Sequence, residues 1–323
     1  MPSEESLKDK KVRAGRNKTL DTDVAEGKKY LEMCLKPSRK PLTEEDIQDR
    51  VILGDSFKVM KKLPKESFDL IIADPPYNLT KNFGGKIFGK RGAAEYEKFT
   101  LKWLIPSLDL LKETGSMYVC CDWESSIIIG RILAEHAIIR SRITWQREKG
   151  RGAKNNWKNG MEDIFFLTKS KDFTFNLDAV KMRRRVMAPY REKGVPKDWM
   201  QDENGNGFRD TCPSNFWDDI TVPFWSMPEN TSHPTQKPEK LIAKLILASS
   251  NEGDRVFDPF LGSGTTAVTA KKLSRHFTGI EESEKYCIFA QQRLEWAEND
   301  KEIQGFSDGV FWERNTRPAK LQF

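Results

Sequence analysis

Phe68-Asp69-Leu70-Ile71-Ile72-Ala73-Asp74-Pro75-Pro76-Tyr77 is the stretch on which the reading of this chain turns. Its first six residues form a nearly unbroken apolar run, the pattern of a strand buried on both faces of a parallel sheet. Two prolines end it, because neither has an N–H to give to a sheet ladder. The tip of a buried strand therefore presents an acid, free carbonyl groups and an aromatic ring outside the sheet. That set fits a planar nucleobase with an exocyclic amine: the ring lies against Tyr77, and the amine hydrogens point at Asp74 and the Pro75 carbonyl. The plainer alternative is a turn with a solvated Asp74.

Outward from this strand, the sequence alternates between two periods. Val51 to Gly54 reads as a strand and Ser56 to Leu63 as a helix stopped by Pro64. Thr100 to Lys112 has helical spacing, with Leu101, Leu104, Ile105 and Leu108 on one face. Ser116 to Cys121 predicts a strand, Glu124 to Glu135 a helix, and Ile138 to Trp145 and Ile164 to Thr168 two further strands around a basic, Gly-rich loop. After a gap the rhythm resumes: helix Lys237–Ser249, strand Arg255–Phe257, helix Thr265–Leu273, strand His276–Ile280 and helix Ser283–Ala297. Strand and helix in turn predict a doubly wound α/β fold with a mostly parallel, seven-stranded sheet.

The interrupting segment, residues 171–232, is rich in Pro, Asn, Gly, Asp, Arg and Trp and has no period. A structureless loop of that length does not belong inside a compact domain, so it predicts a small separate lobe. The resulting division is a polar extension (1–45), a first half-domain (46–170), the lobe (171–232), a second half-domain (233–298) and a polar, peripheral tail (299–323). The extension is expected to dock loosely, with a short helix near Tyr30–Leu35; an arm touching DNA is its alternative role.

Composition removes several classes. With 37% hydrophobic and 32% charged residues the chain is polar for a globular enzyme, but at 11% aromatic it is too aromatic to be disordered, and no stretch approaches the roughly 20 apolar residues of a membrane span. The polar N-terminus has no signal-type apolar region. Five cysteines show neither metal-ligand nor disulfide spacing, and three histidines leave no basis for a multi-histidine metal centre. The expected compartment is a reducing, bacterial-type cytoplasm, with no membrane partner. The net charge of +6 matters less than its clustering.

The second informative stretch is Asp258-Pro259-Phe260-Leu261-Gly262-Ser263-Gly264-Thr265-Thr266, which follows one strand and opens a helix. Glycines there let a ligand approach the backbone beneath the positive end of the helix. Gly262-x-Gly264-x-x-Ala267, with Glu281 ending the next strand, formally matches a dinucleotide fingerprint. Asp258 at the strand end points elsewhere. A carboxylate there suits a ligand carrying an ammonium and a sulfonium, and Glu281 suits a ribose diol; both describe S-adenosylmethionine. A tight turn with no ligand is the bland alternative.

With both stretches in view, the chain resembles the DNA amino-methyltransferases, in their circularly permuted β class. There the Asp-Pro-Pro-Tyr half comes first, then target recognition, then the cofactor loop, and residues 51–298 follow this order. Thr144-Trp145, the run from Glu162 to Ser170, and His233-Pro234-Thr235-Gln236-Lys237-Pro238 match as well. The resemblance implies a Rossmann-like, S-adenosylmethionine-dependent fold and a methyl transfer to adenine N6 in double-stranded DNA, with the base flipped out. It casts Asp74, Pro75, Pro76 and Tyr77 as catalytic. It gives Thr235 and Lys237 to the methionine carboxylate with His233 beside it, and Asp55 to the cofactor adenine or else to a helix cap. Phe260 lies near the cofactor or in the core, and Pro259, Gly262, Gly264, Thr265 and Thr266 complete the loop.

Two basic segments are candidates for phosphate contacts. The first holds Arg147, Lys149, Arg151, Lys154 and Lys158, with Trp157 available for stacking; the second holds Arg183, Arg184 and Arg185. A solvated basic face is the alternative for each. A homodimer and a companion restriction endonuclease are the protein partners the resemblance allows. Three other functions compete: methylation of cytosine N4, which more often goes with Ser at the position of Asp74; a nicotinamide-dependent oxidoreductase; and a silent DNA-binding protein.

Overall fold

A computed structural model describes residues 15–83, 86–147, 154–186, 191–201 and 207–314. Its centre is a sheet of eight strands: β1 (Arg50–Leu53), β2 (Phe68–Ala73), β3 (Leu111–Cys121), β4 (Ile138–Gln146), β5 (Met161–Thr168), β6 (Phe216–Trp217), β7 (Arg255–Asp258) and β8 (His276–Glu281). Across the sheet they run β1-β8-β7-β2-β3-β5-β4-β6. Every neighbouring pair is parallel except those made by β5, which runs against both β3 and β4. β7 and β2 are therefore adjacent, and the ends of both carry the motifs singled out above.

The unbroken apolar run of β2 has the expected cause. Leu70 and Ile72 join one core and Ile71 and Ala73 the other, because side chains alternate across a pleated strand. One face is covered by α1 (Ala93–Leu110) and α2 (Trp123–His136), through Tyr96, Trp103, Ile129 and Leu133. The other is covered by α3 (Glu239–Ser249), α4 (Thr265–Lys272) and α5 (Glu284–Trp296), through Leu241, Leu245, Ala267 and Ile288. Among the described residues no helix is long and apolar enough to cross a membrane.

The structure corrects four expectations. The sheet has eight strands and not seven: Phe216–Trp217 pairs with Thr144–Trp145, and two residues are too short a run to show a period. The Thr100–Lys112 helix begins at Ala93, just after Gly92, and yields to β3 at Leu111. The tail is not peripheral, because Val310–Trp312 pairs in parallel with Met182–Arg185 inside a five-stranded sheet that also contains Gly207–Thr211. Phe311 is fully buried there against Val180, Ala243 and Leu247. Finally, residues 15–45 are firmly docked. Their helix is Lys28–Glu32, Tyr30, Leu31 and Cys34 enter the core, and Tyr30 donates to Glu295 at 2.7 Å. Apolar residues spaced so thinly among Lys and Glu carry no periodicity, so their burial is decided by the surface they meet.

Candidate active site

The Asp74-Pro75-Pro76-Tyr77 tip of β2 and the turn after β7 open into one cavity of about 350 Å³. Asp74, Pro75, Pro76 and Tyr77 line it, as do Pro259, Phe260, Gly262 and Glu281, and Asp55, His233, Thr235 and Lys237 complete its wall. Strands far apart in sequence meet here because β7 and β2 are sheet neighbours, and strand ends are where open α/β sheets place ligands.

Asp74 is held at both oxygens. The Tyr77 hydroxyl donates to Oδ1 at 2.8 Å, and the Lys237 ammonium donates to Oδ2 at 2.6 Å. Lys237 also reaches the Tyr77 hydroxyl at 3.1 Å and Glu162 Oε2 at 3.3 Å, and Arg147 binds the other oxygen of Glu162. Burial works to lower the Lys237 pKa, but Asp74 and Glu162 outweigh it, so the ammonium is more firmly protonated than an ordinary lysine. Burial, with the charges of Asp74 and Glu162 beside it, pushes the Tyr77 phenol well up, which keeps it a donor. Lys237 also lies 5.3 Å from the centre of the Tyr77 ring. Directly after the motif, Asn78 grips the backbone of Arg91 from both sides, and Arg91 enters the cavity stacked on Phe88 and Phe99.

The Gly-rich turn has a physical reason for each glycine. Gly262 (φ +57°) passes the His233 ring so closely that a Cβ would lie 3.1 Å from Nε2. Gly264 (φ +87°) caps α4, and a Cβ there would lie 2.6 Å from that of Ala290. Glu281 accepts from the Gly262 and Ser283 N–H groups, and burial raises its pKa to about 7. His233 packs edge-on to Tyr286 at 4.3 Å, and its Nδ1 accepts from the Thr235 N–H.

Several of the expected site residues also have partners within the protein. Asp258 does not line the large cavity; its carboxylate accepts from the Phe260 N–H at 2.8 Å and the Thr266 hydroxyl at 2.6 Å, and burial lifts its pKa to about 7. It organises the turn, beside a small adjoining space bordered by Thr265 and Thr266. Lys237, expected at the methionine carboxylate, gives its ammonium to Asp74, Tyr77 and Glu162. Asp55 caps the Ser56–Val59 helix through the Phe57 N–H, and it also lines the cavity. Phe260 likewise lines the cavity while packing edge-on to the buried Trp103.

Of the basic candidates, Lys149 and Arg151 lie outside the described residues. Arg147 turns inward to Glu162, and Arg183 forms a two-pronged pair with Asp210 and stacks on Phe208 and Trp312, so both guanidiniums are engaged within the protein. Arg184 is half-buried and Arg185 exposed, and Lys154 and Lys158 are exposed in a stretch whose Trp157 is 93% exposed. Sequence reasoning gave no role to Glu162, Arg91, Phe57, Phe88 or Phe99. Glu162 alone carried a signal: with Asp163 it forms an acidic pair leading into the apolar run Ile164–Leu167.

Residues 68–292, well over half of the chain, match the N6/N4 DNA methylase family. This protein is a member of that family. The methylase is 38% identical over 258 residues to the DNA adenine methyltransferase YhdJ of Escherichia coli, covering 76% of this chain and 83% of the relative. It is 35% identical over 263 residues to the type II methyltransferase M.HpaI of Haemophilus parainfluenzae, covering 80% and 77%. Its fold is shared with the cytosine-N4-specific PvuII DNA methyltransferase (TM-score 0.56, 16% identity, 77% and 91% covered). It is shared also with M1.HpyAVI in complex with SAM (0.52, 24%, 76% and 98%). Membership displaces the nicotinamide-dependent reading of the glycine turn.

Proposed function

We propose that this methylase transfers a methyl group from S-adenosylmethionine to N6 of an adenine flipped out of double-stranded DNA. The observation that carries the reading is the single cavity shared by Asp74-Pro75-Pro76-Tyr77 and the glycine turn. Similarity to a DNA adenine methyltransferase, together with Asp at position 74, favours adenine over cytosine N4. The order of catalytic motif, lobe and glycine turn along the chain is that of the circularly permuted class. Similarity to type II methyltransferases supports a place in a restriction-modification system; a bacterial cytoplasm, a companion endonuclease and a homodimer go with that reading as parts of the proposal.

The cavity residues fit the cofactor. Glu281 offers a carboxylate to a ribose, Asp55 and the aromatic wall beside it suit an adenine, and the stretch lined by Gly262, His233 and Thr235 suits the amino-acid end. Bound there, S-adenosylmethionine supplies a methyl carbon on a sulfonium: the N–C bond forms as the C–S bond breaks, the electron pair stays on sulfur, and the charge passes to nitrogen until an amine proton leaves to water. The protein's part is positional and electrostatic. Asp74 and the Pro75 carbonyl accept from the two amine hydrogens and localise the nitrogen lone pair, while Tyr77 stacks the extruded ring and offsets its lost stacking. Lys154, Lys158 and Arg185 meet backbone phosphates.

Labelled methyl transfer to unmethylated DNA, followed by nucleoside analysis, tests this. N6-methyladenine is the expected product. N4-methylcytosine overturns the substrate, and absence of label overturns the activity.

A further inference from the structure

We propose that Glu162 governs the activity of Asp74 by sharing the Lys237 ammonium with it, so that the group facing the target amine sits in a charge-balanced cluster. This deepens the methyl-transfer reading and rests on it. Glu162 is a positioning residue here, acting through Lys237.

The geometry is specific. The Lys237 side chain is 7% exposed and that of Glu162 is 6% exposed, so their charges act with little screening by water. Lys237 bridges the two carboxylates, at 2.6 Å from Asp74 and 3.3 Å from Glu162, while Arg147 holds the second Glu162 oxygen. Glu162 stands in β5 in register with Trp145 of β4, so the sheet and not a loop sets its place. Two carboxylates and two cations sum to zero in this chain of contacts. A buried cluster tolerates loss of one partner poorly, because the remaining charge is left uncompensated.

Positive charge must grow on the amine nitrogen beside Asp74 as the methyl group moves. With Glu162 present, the ammonium is divided between two acids, and Asp74 keeps most of its charge for the amine. With a neutral residue at 162, Lys237 belongs wholly to Asp74, and the cluster gains one net positive charge where positive charge has to develop. The penalty falls on the transition state more than on bound substrate, so kcat suffers and KM does not.

The test compares wild type, Glu162→Gln, Lys237→Met and the double variant by kcat and by KM for DNA and for S-adenosylmethionine. The expected result is a loss of about tenfold or more in kcat for Glu162→Gln with both KM values within about twofold, since each tenfold corresponds to a modest change in barrier. Adding Lys237→Met restores neutrality, so the double variant is more active than Glu162→Gln alone. Additive losses, a change confined to KM, or wild-type kcat in Glu162→Gln would overturn the inference. Thermal melting establishes folding at the assay temperature. If Glu162→Gln does not fold, Glu162→Asp, with its shorter reach to Lys237, takes its place: reduced kcat at unchanged KM supports the proposal, and a KM-only effect overturns it. A wild-type protein that transfers no methyl overturns the methyltransferase reading itself, whereas an active wild type with an equally active Glu162→Gln overturns only this inference.

Discussion

The hydroxyl and the ring of Tyr77 do separate jobs. The hydroxyl donates to Asp74 at 2.8 Å, and the ring lines the cavity. Tyr77→Phe removes a hydrogen bond to a charged group, about 1.5–3 kcal/mol, and lowers kcat roughly tenfold or more. Tyr77→Ala removes the stacking face too, a further loss of about 1–3 kcal/mol that also weakens base extrusion. Steady-state kinetics of the two variants, with fluorescence of 2-aminopurine at the target position, separate the roles; equal activity in both contradicts the assignment. Asp258 gives a pH prediction of definite sign. Its folded pKa of about 7 lies above the usual carboxylate value, so between the two the native state holds a proton that the unfolded chain releases. Its contribution to stability therefore falls as pH rises toward 7 and is level above it. Asp258→Asn flattens that limb, seen as a smaller drop in Tm between pH 5 and pH 8 than in wild type. Asp258 and Lys237 were legible as chemistry-bearing residues, but not by partner: one turns onto its own loop and the other crosses to Asp74, and neither choice is visible in residue type or spacing.

At the scale of elements, the glycine turn is shaped by what packs beneath it. Gly264 and Gly253 both have positive φ, but a Cβ at Gly264 meets α5 at Ala290 whereas one at Gly253 meets nothing within 4 Å. Gly253→Ala should cost only the left-handed backbone penalty, about 1–2 kcal/mol. Gly264→Ala adds overpacking, about 1–3 kcal/mol more, and displaces the turn from α5. Chemical denaturation gives the two ΔΔG values, and equal values would show that α5 yields freely. The strands with long apolar runs, β2 and β3 among them, were readable because burial on both faces leaves a dense one-dimensional pattern. β6 was not, since two residues cannot display a period, nor were the ends of α1, which depend on where β3 takes up the chain.

At the scale of the whole molecule, the basic clusters divide by what surrounds them. Arg183 looks in sequence like its neighbours Arg184 and Arg185, but Asp210, Phe208 and Trp312 enclose it. Arg183→Ala should lower stability while leaving the salt dependence of DNA binding nearly unchanged. Lys154→Ala should leave stability intact and reduce the slope of log K against log salt by about 0.9. Binding titrations across a salt series, set beside thermal melts, test both expectations, and the reverse pattern would reassign the DNA-facing surface. The lobe that carries Arg183 is completed by Val310–Trp312, so segments more than a hundred residues apart form one structural unit.

The amino-acid sequence alone determined the α/β alternation, the strand-tip position of Asp74 to Tyr77, the glycine turn and the family resemblance, because each is written in local periodicity or in a contiguous motif. The tertiary structure decided that β2 and β7 lie side by side, that Lys237 spans Asp74 and Glu162, and that Val310–Trp312 completes the lobe. Those are contacts between residues tens to hundreds of positions apart, and only the packing of the folded chain selects which charge meets which.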